Sequence, residues 1–348
     1  AIAYRTVKFS TMIYDRYYYS KLNKREKKAY KKIYAAMENY KQSVTINGFV
    51  ETDIRKLMSA INFDNPHLFF VDFYCELQSD LFSHTIKLKY IYNQADTVVL
   101  TEKIKKVCNK ILSKVTGKTE FEKELSLHDI LARNVLYDDV AKDNLLKFHT
   151  RSNTILGVLF YKTAVCEGIA KTFKFLLNAL DIKCVVVKGK ATDDLSGNVS
   201  SDTLHAWNMV KIDGKPYYVD LTWDINLSDK NIIRHDYFNL TDKDIAIDHS
   251  VDKNLPSCIA YDDNYFYKNG LVVTRKADLR QIIADKIKNG ENSVEFKISD
   301  GVFENDSDIE KYIFDYFNEI VTYPNTSFRL NHSNKSKHNT CYYIWYIK

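Results

Sequence analysis

The chain has 348 residues, of which 45% are hydrophobic and 27% charged, with only 10 glycines and 4 prolines. This composition excludes collagen-like, low-complexity and generally disordered proteins. The length supports two or three domains, each large enough to bury its own core. No apolar run reaches the roughly 18 residues that a membrane-spanning helix needs, so no such helix is predicted.

The net charge of +5 is too small to predict nucleic-acid binding. Basic residues are nevertheless concentrated between residues 21 and 32. From the same stretch onward, Tyr30, Ile33, Tyr34 and Met37 recur at helical spacing. This pattern predicts an amphipathic helix whose lysines face solvent. The alternative is that this face contacts an anionic surface, such as cell-wall polymer or lipid headgroups.

The first part of the chain, to residue 118, is predicted to contain helices around a short sheet. The helix around Tyr30 is followed by a helix at 51–61, strands at 67–75 and 84–92, and a helix with Cys108 on its apolar face. Gly117 is a candidate C-cap for this last helix. Cys108 is therefore predicted to be a core residue.

A change of pattern after residue 118 indicates a second unit. Thr119 and Glu122 form a capping box at the start of a helix. A helix at 166–180 then precedes strands at 183–188, 205–212 and 217–222. Asp213-Gly214 separates the last two strands, and this dipeptide is a strong signal for a two-residue hairpin turn.

From about residue 255 the sequence predicts strand, helix, strand, helix and strand, with helices at 277–287 and 308–317 and a closing strand at 341–347. The chain is therefore predicted to be an α+β protein of three units, at residues 1–118, 119–252 and 253–348.

Cys166 is the first residue that suggests chemistry. It is predicted to begin a helix, where unpaired N–H groups and the helix dipole favour thiolate over thiol. The same N–H groups are potential donors to an oxyanion. Alone this is a weak signal, because a buried inert cysteine is commoner. The six cysteines are too widely spread to predict a disulfide scaffold or a zinc site.

The predicted hairpin supplies a partner for the cysteine. A two-residue turn at Asp213-Gly214 places Trp207 opposite Asp220 and His205 opposite Thr222. His205 and Asp220 are then diagonal neighbours on one face of the sheet, within side-chain reach. An acid beside a histidine orients the imidazole and stabilises its charged form, and the imidazole in turn deprotonates the thiol.

Cys166, His205 and Asp220 would form a triad if the helix that begins at the cysteine packs over this face of the sheet. Asn208 points to the other face and is less suited to orient the histidine. Pro216 is the weak point of the register, because its ring can pull the turn out of the two-residue class.

Three sequence blocks resemble the catalytic core of the transglutaminase-like superfamily, the bacterial branch of cysteine-dependent proteins with a papain-like fold. The blocks are Cys166-Glu167-Gly168-Ile169-Ala170, His205-Ala206-Trp207-Asn208 and Tyr218-Val219-Asp220-Leu221-Thr222-Trp223-Asp224. They occur in the family's order, and the resemblance spans about residues 120–250. It implies a papain-like core, with N-terminal helices packed on an antiparallel sheet, between small α/β modules.

The resemblance implies that Cys166 is the nucleophile, His205 the general base and acid, and Asp220 the orienting carboxylate. Such proteins form a thioester from a peptide or protein amide and pass the acyl group to water or to an amine. The implied activity is that of a cysteine protease, an amidohydrolase or a transglutaminase, with no cofactor. The triad does not decide between these activities, because access to the acyl-enzyme selects the acceptor.

Other parts of the site are less defined by the sequence. The candidates for a second oxyanion donor are Asn153, Thr154 and Tyr161. Trp207 and Trp223 are candidates to line the cleft, with core packing as an equal alternative for both. The predicted register puts Trp207, and not Trp223, on the catalytic face, so Trp207 ranks higher.

No metal site is predicted. His128, His235 and His249 each lie near an aspartate, but their separations match no short ligand motif. The one acidic loop that is a candidate for calcium contains Asp193, Asp194, Asn198 and Asp202.

Two classes of function are compatible with the sequence. One is the cysteine enzyme, and the other is a non-catalytic cell-surface binding or structural module that keeps the fold. The intact triad favours the enzyme, and a cleft that admits an extended peptide would favour it further. The start at Ala1 is interpreted as removal of an N-terminal segment, which with the resemblance favours an extracellular or cell-surface location over the cytoplasm. The oligomeric state is not predicted.

Overall fold

The structure is a computed structural model that describes residues 15–80, 83–143, 151–192, 202–229, 232–250, 254–320, 331–333 and 336–345. Most of the acidic loop considered for calcium, including Asp193, Asp194 and Asn198, lies outside these ranges. Among the described residues, no helix combines the length and the hydropathy that crossing a membrane requires.

The N-terminal region contains helices and a three-stranded antiparallel sheet with the strand order β1-β3-β2. Its elements are α1 (Tyr17–Lys21), α2 (Lys24–Glu38), β1 (Ser43–Asn47), α3 (Glu51–Asp64), β2 (Val71–Ser79), β3 (Ser83–Tyr90) and α4 (Gln94–Leu112). The amphipathic helix is confirmed, because α2 buries Tyr30, Ile33 and Met37 and leaves most of its lysines exposed.

Gly117 does not cap α4, contrary to the prediction. The helix ends at Leu112 with Ser113 as its C-cap. Gly117 lies in the following loop with φ of 110°, where a Cβ would be 2.4 Å from the Cβ of Glu122. Glycine is therefore required here by the close approach of the loop to the next helix.

The middle of the chain forms helices packed against a four-stranded antiparallel sheet with the order β8-β7-β6-β9. This arrangement confirms the predicted α+β class. The elements are α5 (Glu120–Asn134), β4 (Leu136–Tyr137), α6 (Asp139–Asp143), a π-helical turn (Gly157–Tyr161), β5 (Thr163–Ala164), α7 (Cys166–Ala179), β6 (Lys183–Thr192), β7 (Asp202–Ile212), β8 (Lys215–Val219), α8 (Leu221–Leu227), α9 (Asp242–Ile245) and β9 (His249–Ser250).

The hairpin of β7 and β8 has the predicted register. Ile212 pairs with Lys215 across a two-residue turn in which both Asp213 and Gly214 have positive φ, at 46° and 85°. Pro216 does not disturb the pairing. Pro216 lies on the edge strand β8 and faces Lys211, in the pair next to the one that closes the turn. Alternate pairs of an antiparallel ladder exchange no hydrogen bonds, so the missing N–H of Pro216 leaves no bond unmade here.

The second strand of the hairpin is shorter than predicted. It ends at Val219, and Asp220 becomes the N-cap of α8, because its carboxylate accepts a hydrogen bond from the backbone N–H of Trp223 at 3.1 Å. Thr222 and Trp223 are therefore helical, and the predicted pairing of His205 with Thr222 is wrong.

Helix α7 packs on the face of the sheet opposite to the one expected. The Asn208 amide donates to the carbonyl of Ala170 in α7 at 3.0 Å, and Val210 belongs to the same core as Phe173. Trp207 belongs to a separate cluster on the other face. Because residues alternate along a strand, His205 lies on the face turned away from the body of α7. Only the first turn of α7, which begins with Cys166, lies near the His205 side chain.

The N-terminal elements and the middle region share one hydrophobic cluster, which joins residues such as Met37 and Ile61 to Phe173 and Leu176. The last part of the chain has its own cluster. Its elements are α10 (Tyr265–Lys268), β10 (Val272–Val273), α11 (Lys276–Lys288), β11 (Ser293–Ile298), α12 (Asp306–Ile320), β12 (Asn331–Ser333) and β13 (Thr340–Ile344), with the sheet order β10-β11-β13-β12. The division into three units stays a prediction.

Candidate active site

Cys166 is the first residue of α7, and its side chain is partly exposed. The N-cap is Val165, whose aliphatic side chain cannot accept a hydrogen bond from the first turn. The amides at the start of α7 therefore have no side-chain cap, and the helix dipole is directed at the sulfur. These features favour a thiolate and leave donors for a developing oxyanion.

Gly168 allows a neighbouring segment to approach the start of α7 closely. A Cβ on Gly168 would be 2.1 Å from the carbonyl oxygen of Ser152, which also accepts a hydrogen bond from Val165 N at 3.3 Å. The Ser152 hydroxyl donates to the Asp138 carboxylate. Asn153 follows directly and is held beside the cysteine by these contacts.

His205 and Asp220 are hydrogen bonded, with 2.6 Å between Nε2 of the histidine and Oδ2 of the aspartate. The histidine is 8% exposed and the aspartate is fully buried. Cys166 lies near the His205 ring, because both residues line one cavity and the thiol contributes to the raised pKa of His205. Because Nε2 is bound to Asp220, Nδ1 is the nitrogen left for the thiol. The structure thus brings together the three residues of the predicted triad.

The protonation of this pair favours the charged forms. Burial opposes the charge on His205, but attraction to Asp220 and the hydrogen bonds to Asp220 and Cys166 outweigh it and raise the pKa of His205 to about 10. Burial likewise opposes the charge on Asp220, yet its contacts with His205 and His249 hold its pKa below the usual range. An imidazolium facing the thiol stabilises a thiolate.

The triad opens into a cavity of about 380 Å³, which is lined by Cys166, His205, Asn153 and Trp223 among others. Tyr74 and Leu204 are 66% and 72% exposed and form part of its rim. A second cavity of about 400 Å³ between α3 and β2 shares the lining residues Phe63, Tyr74, Glu167 and Lys188. The sulfur is therefore accessible from a groove that extends along the N-terminal region.

The three candidates for the second oxyanion donor have different positions. Asn153 lines the cavity with Cys166, whereas the Thr154 hydroxyl is bound to the carbonyl of Arg151 at 3.1 Å. Tyr161 is 51% exposed, has the Arg151 guanidinium over its ring, and does not line this cavity. Of the three, Asn153 has the position that the role requires.

The structure reverses the expected order of the two tryptophans. Trp207 is 1% exposed, lies in the core behind His205 and does not line the cavity. Trp223 lines it, at 5.8 Å from the His205 ring centroid. The reason is the early end of β8: Trp223 lies in the first turn of α8, which turns it toward the cleft.

His249 is a member of the site that sequence reasoning missed. Its Nε2 lies 3.0 Å from Oδ2 of Asp220, and its Nδ1 lies 2.6 Å from Oδ1 of Asp248. In the sequence, the aspartate next to His249 suggests only a candidate metal ligand. Pairing of β9 with β6, which places His249 opposite Ala191, is what brings it to the triad.

A second network of histidines and acids includes Asp224, which lies on the same short helix α8 as the first network. Asp224, one turn after Asp220, is 3.0 Å from Nε2 of His128, whose Nδ1 is 3.0 Å from Asp129. His235 joins Asp129 to Glu295 through contacts of 2.9 and 2.8 Å. This chain of residues, which we call the Asp224 network, connects α8 to β11.

The candidate metal-binding groups in the described residues belong to these two networks. They are His128, Asp129 and His235 in one, and His205, Asp220 and His249 in the other, with ligand atoms within 4.8 Å of one another. The imidazole nitrogens face carboxylate oxygens at 2.6 to 3.0 Å, which is hydrogen-bond spacing. We describe both groups as hydrogen-bonded networks and assign no metal to either.

Comparison with known proteins gives one match to a family model. Residues 105–221 match the family model of the core of the transglutaminase-like superfamily. No curated protein matches the chain significantly. The matched range contains Cys166, His205 and Asp220.

Three solved structures are similar to parts of the chain. One is described as a TGase, with a TM-score of 0.29, 16% identity, and coverage of 52% of this chain and 50% of that one. The second is a proposed cysteine protease from Cytophaga hutchinsonii, with a TM-score of 0.27, 15% identity, and coverage of 42% and 61%. The third is a proposed protease from Parabacteroides distasonis, with a TM-score of 0.25, 13% identity, and coverage of 44% and 39%.

The present chain thus spans half the length of the first of these structures and less than two thirds of the others. Similarity at this level carries no argument about activity. Residues 105–221 thus resemble the core of the transglutaminase-like superfamily, and this part of the chain contains helices packed on an antiparallel sheet.

Proposed function

We propose that this protein is a cysteine-dependent acyl-transfer enzyme that acts on peptide or protein amides through a thioester. The observation that supports it best is that a partly exposed cysteine, at a helix start without a side-chain cap, lines one cavity with a histidine held by a buried aspartate. These groups open into a cavity, as a substrate requires.

In the first half of the reaction, the Cys166 thiolate attacks the amide carbonyl carbon and forms a C–S bond. The negative charge that develops on the carbonyl oxygen is stabilised by the amides of the first turn of α7 and by the Asn153 side chain. His205 then donates its proton to the leaving nitrogen, the C–N bond breaks, and an amine departs. The product of this half is a thioester on the enzyme.

In the second half, water or a primary amine attacks the thioester and gives a proton to His205. The C–S bond breaks and the thiolate is regenerated beside an imidazolium, so the cycle needs no external oxidant or cofactor. Hydrolysis is the favoured outcome, because the partly exposed Cys166 lies in a cavity with an exposed rim that water can enter. Tyr74 and Leu204 on this rim are the side chains that an incoming amine would have to pass.

The open cavity weighs against the alternative of a non-catalytic module. A triad sealed beneath the N-terminal region would favour a binding role, since a substrate could not reach the sulfur. Here the N-terminal residues Phe63 and Tyr74 form a wall of the cavity and do not close it. The groove that continues between α3 and β2 has room for the chain of an extended peptide.

Selective alkylation tests whether Cys166 is activated. Cys75 is the matched internal control, because it is the other partly exposed cysteine and the remaining four are buried. Burial raises the pKa of Cys75, so its thiol has no activating environment. Iodoacetamide at near-neutral pH is expected to modify Cys166 much faster than Cys75, as measured by peptide mass spectrometry. Modification of Cys166 no faster than that of a free thiol would refute the activated nucleophile.

The acceptor is identified by incubating a peptide pool with the protein, with and without a primary amine, and analysing the products by mass spectrometry. New peptide termini indicate a protease, conversion of glutamine to glutamate indicates a deamidase, and amine adducts indicate a transglutaminase. Cys166→Ala is the control that separates these products from those of a contaminant. Absence of all three products would contradict the proposed function.

A further inference from the structure

His249 is placed between two acids in the interior of the protein. Its side chain is completely buried, with Asp220 on one ring nitrogen and Asp248 on the other. The catalytic aspartate is therefore shared by two histidines, since Oδ2 of Asp220 lies 2.6 Å from His205 and 3.0 Å from His249. A triad needs only one of them.

The surroundings of His249 select its charged form. A neutral imidazole has one donor and one acceptor nitrogen, whereas an ionised carboxylate can only accept. Two carboxylates on opposite nitrogens are both satisfied only if His249 carries protons on both. Burial opposes this charge, but the hydrogen bonds to Asp220 and Asp248 outweigh it and raise the pKa of His249.

Of the titratable groups that surround His249 besides the two acids, His205 carries a charge of the same sign, and Tyr237 and His338 are neutral. The ring of His249 lies 5.5 Å from that of His205 and 5.8 Å from that of Tyr237, whose hydroxyl donates to Asp248 at 2.7 Å. Burial raises the pKa of Tyr237 well above its usual value, so this group stays neutral. His338 approaches Asp248 at 3.7 Å, and burial lowers its pKa, so it is neutral as well.

Two consequences follow for the triad. Asp220 accepts hydrogen bonds from His205 and His249 on Oδ2 and from the Trp223 amide on Oδ1, which leaves its carboxylate one orientation. A second imidazolium close to His205 also opposes the charge on that ring, and it attracts the thiolate. His249 therefore acts on the orientation and on the charge balance of the Cys166–His205 pair.

We propose that His249 is a positioning residue of the triad: as an imidazolium shared by Asp220 and Asp248, it orients Asp220 and sets the pH range in which the thiolate of Cys166 forms. The inference rests on the proposed function, because it assigns His249 to the same site. It also gives Asp248 a role, as the acceptor that fixes the second ring nitrogen of His249 and balances part of its charge.

The test compares His249→Gln, Asp248→Asn and the double variant in the full chain. The rate of Cys166 alkylation is measured as a function of pH, and its midpoint reports thiolate formation. His249→Gln removes a positive charge and is expected to raise the midpoint by roughly half to one pH unit. Asp248→Asn removes a negative charge, but the Asn oxygen can still accept from Nδ1 and Asp220 still pairs with Nε2, so His249 keeps its charge and the midpoint is expected to fall by a similar amount. The double variant is expected to return close to the wild-type midpoint.

Opposite shifts that cancel in the double variant are not produced by loss of packing, which would move the rate in one direction. Thermal unfolding of each variant checks that the fold is kept. Midpoints that move in the same direction in both single variants, or that stay within about 0.2 pH units of wild type, would overturn the inference.

A second measurement separates this inference from the proposed function. The ring nitrogens of ¹⁵N-labelled histidine in the wild-type protein are expected to show His249 doubly protonated around neutral pH. One unprotonated nitrogen in His249 would overturn the inference even if Cys166 is reactive. A slow Cys166 with a doubly protonated His249 would instead refute the nucleophile and leave the shared imidazolium in place.

Discussion

Helix α8 has one aspartate network on each of two successive turns, and only one of them has the parts of an active site. Asp220 caps the helix and holds His205 and His249, while Asp224 lies one turn later and holds His128. Both aspartates are fully buried and both accept from an imidazole and from a backbone amide. Their local chemistry is nearly the same.

The difference lies in what each histidine contacts next. His205 contacts a partly exposed cysteine and lines a cavity. His128 contacts Asp129, and His235 connects Asp129 to Glu295 in β11. A histidine with an acid partner is therefore no indication of catalysis until a nucleophile and room for a substrate are present.

The charges of the Asp224 network favour a structural role. Burial raises the pKa of Asp224 to about 7 despite its bond to His128. Attraction to Glu295 and the bonds to Asp129 and Glu295 outweigh burial and raise the pKa of His235 to about 10. Paired charges of this kind join α5 and α8 to β11, and breaking one pair leaves a buried charge without compensation.

The largest expected effect on turnover comes from replacing Cys166, which lies beside the Asp220 network and not the Asp224 network. Replacing Cys166 with alanine removes the nucleophile and is expected to reduce amide turnover by at least about 10⁴-fold, with little change in thermal stability because the side chain is partly exposed. Turnover of the peptide pool and a thermal melt measure the two quantities. Cys75→Ser is the matched control, and equal losses in the two variants would contradict the assignment of Cys166 as the nucleophile.

The two aspartates provide the sharpest test of the comparison. Asp220→Asn is expected to lower turnover by roughly 10²- to 10⁴-fold, because the amide no longer stabilises the imidazolium of His205. Asp224→Asn is expected to lower the free energy of unfolding by about 1 to 3 kcal/mol and to change turnover by less than about tenfold. Rates and urea unfolding are measured on both. Similar rate losses in the two variants would show that the Asp224 network also serves catalysis.

The two tryptophans test which side of His205 faces the substrate. Trp223→Ala is expected to raise KM by roughly tenfold, because Trp223 lines the cavity. Trp207→Phe is expected to cost stability with a smaller effect on KM, since Trp207 is 1% exposed in the core. Steady-state kinetics and thermal melts distinguish them. A larger effect on KM from Trp207 would mean that the cleft lies on the other side.

The smallest expected effect on activity is at His235, and its effect on stability depends on pH. Because folding raises the pKa of His235 from 6.5 to about 10, the stabilisation is fully present below pH 6.5 and is lost as the pH rises through 10. His235→Gln is therefore expected to cost roughly 1 to 3 kcal/mol near pH 6 and progressively less toward pH 10. Urea unfolding at several pH values measures it, and a cost that does not decrease with pH would contradict the assignment.

Local signals in the sequence predicted much of the fold correctly. The capping box of Thr119 and Glu122 marks the start of α5, and Asp213-Gly214 sets the hairpin register. Both depend on contacts between residues a few positions apart, so a single sequence contains them. The register then brings His205 next to Asp220, and the residue types suggested their role.

Contacts between distant segments were not predictable in this way. Which face of the sheet α7 covers depends on how whole surfaces of side chains pack, and alternation along a strand is the same for either choice. Trp223, and not Trp207, lines the cavity, because the Asp220 side chain caps α8 and β8 ends earlier than predicted. His249 reaches Asp220 only through pairing of β9 with β6.

The sequence by itself determined the class of the fold, the hairpin and the three residue types that a cysteine-dependent acyl transfer needs. Only the tertiary structure decided that Cys166 approaches His205 from the N-terminus of α7 and that Trp223 faces the cavity. It also decided that Asp220 binds His249 as well as His205. The physical reason is the range of the interactions. Caps and tight turns are formed by neighbours in the chain, whereas a cavity and a buried charge network arise from segments that meet only after folding.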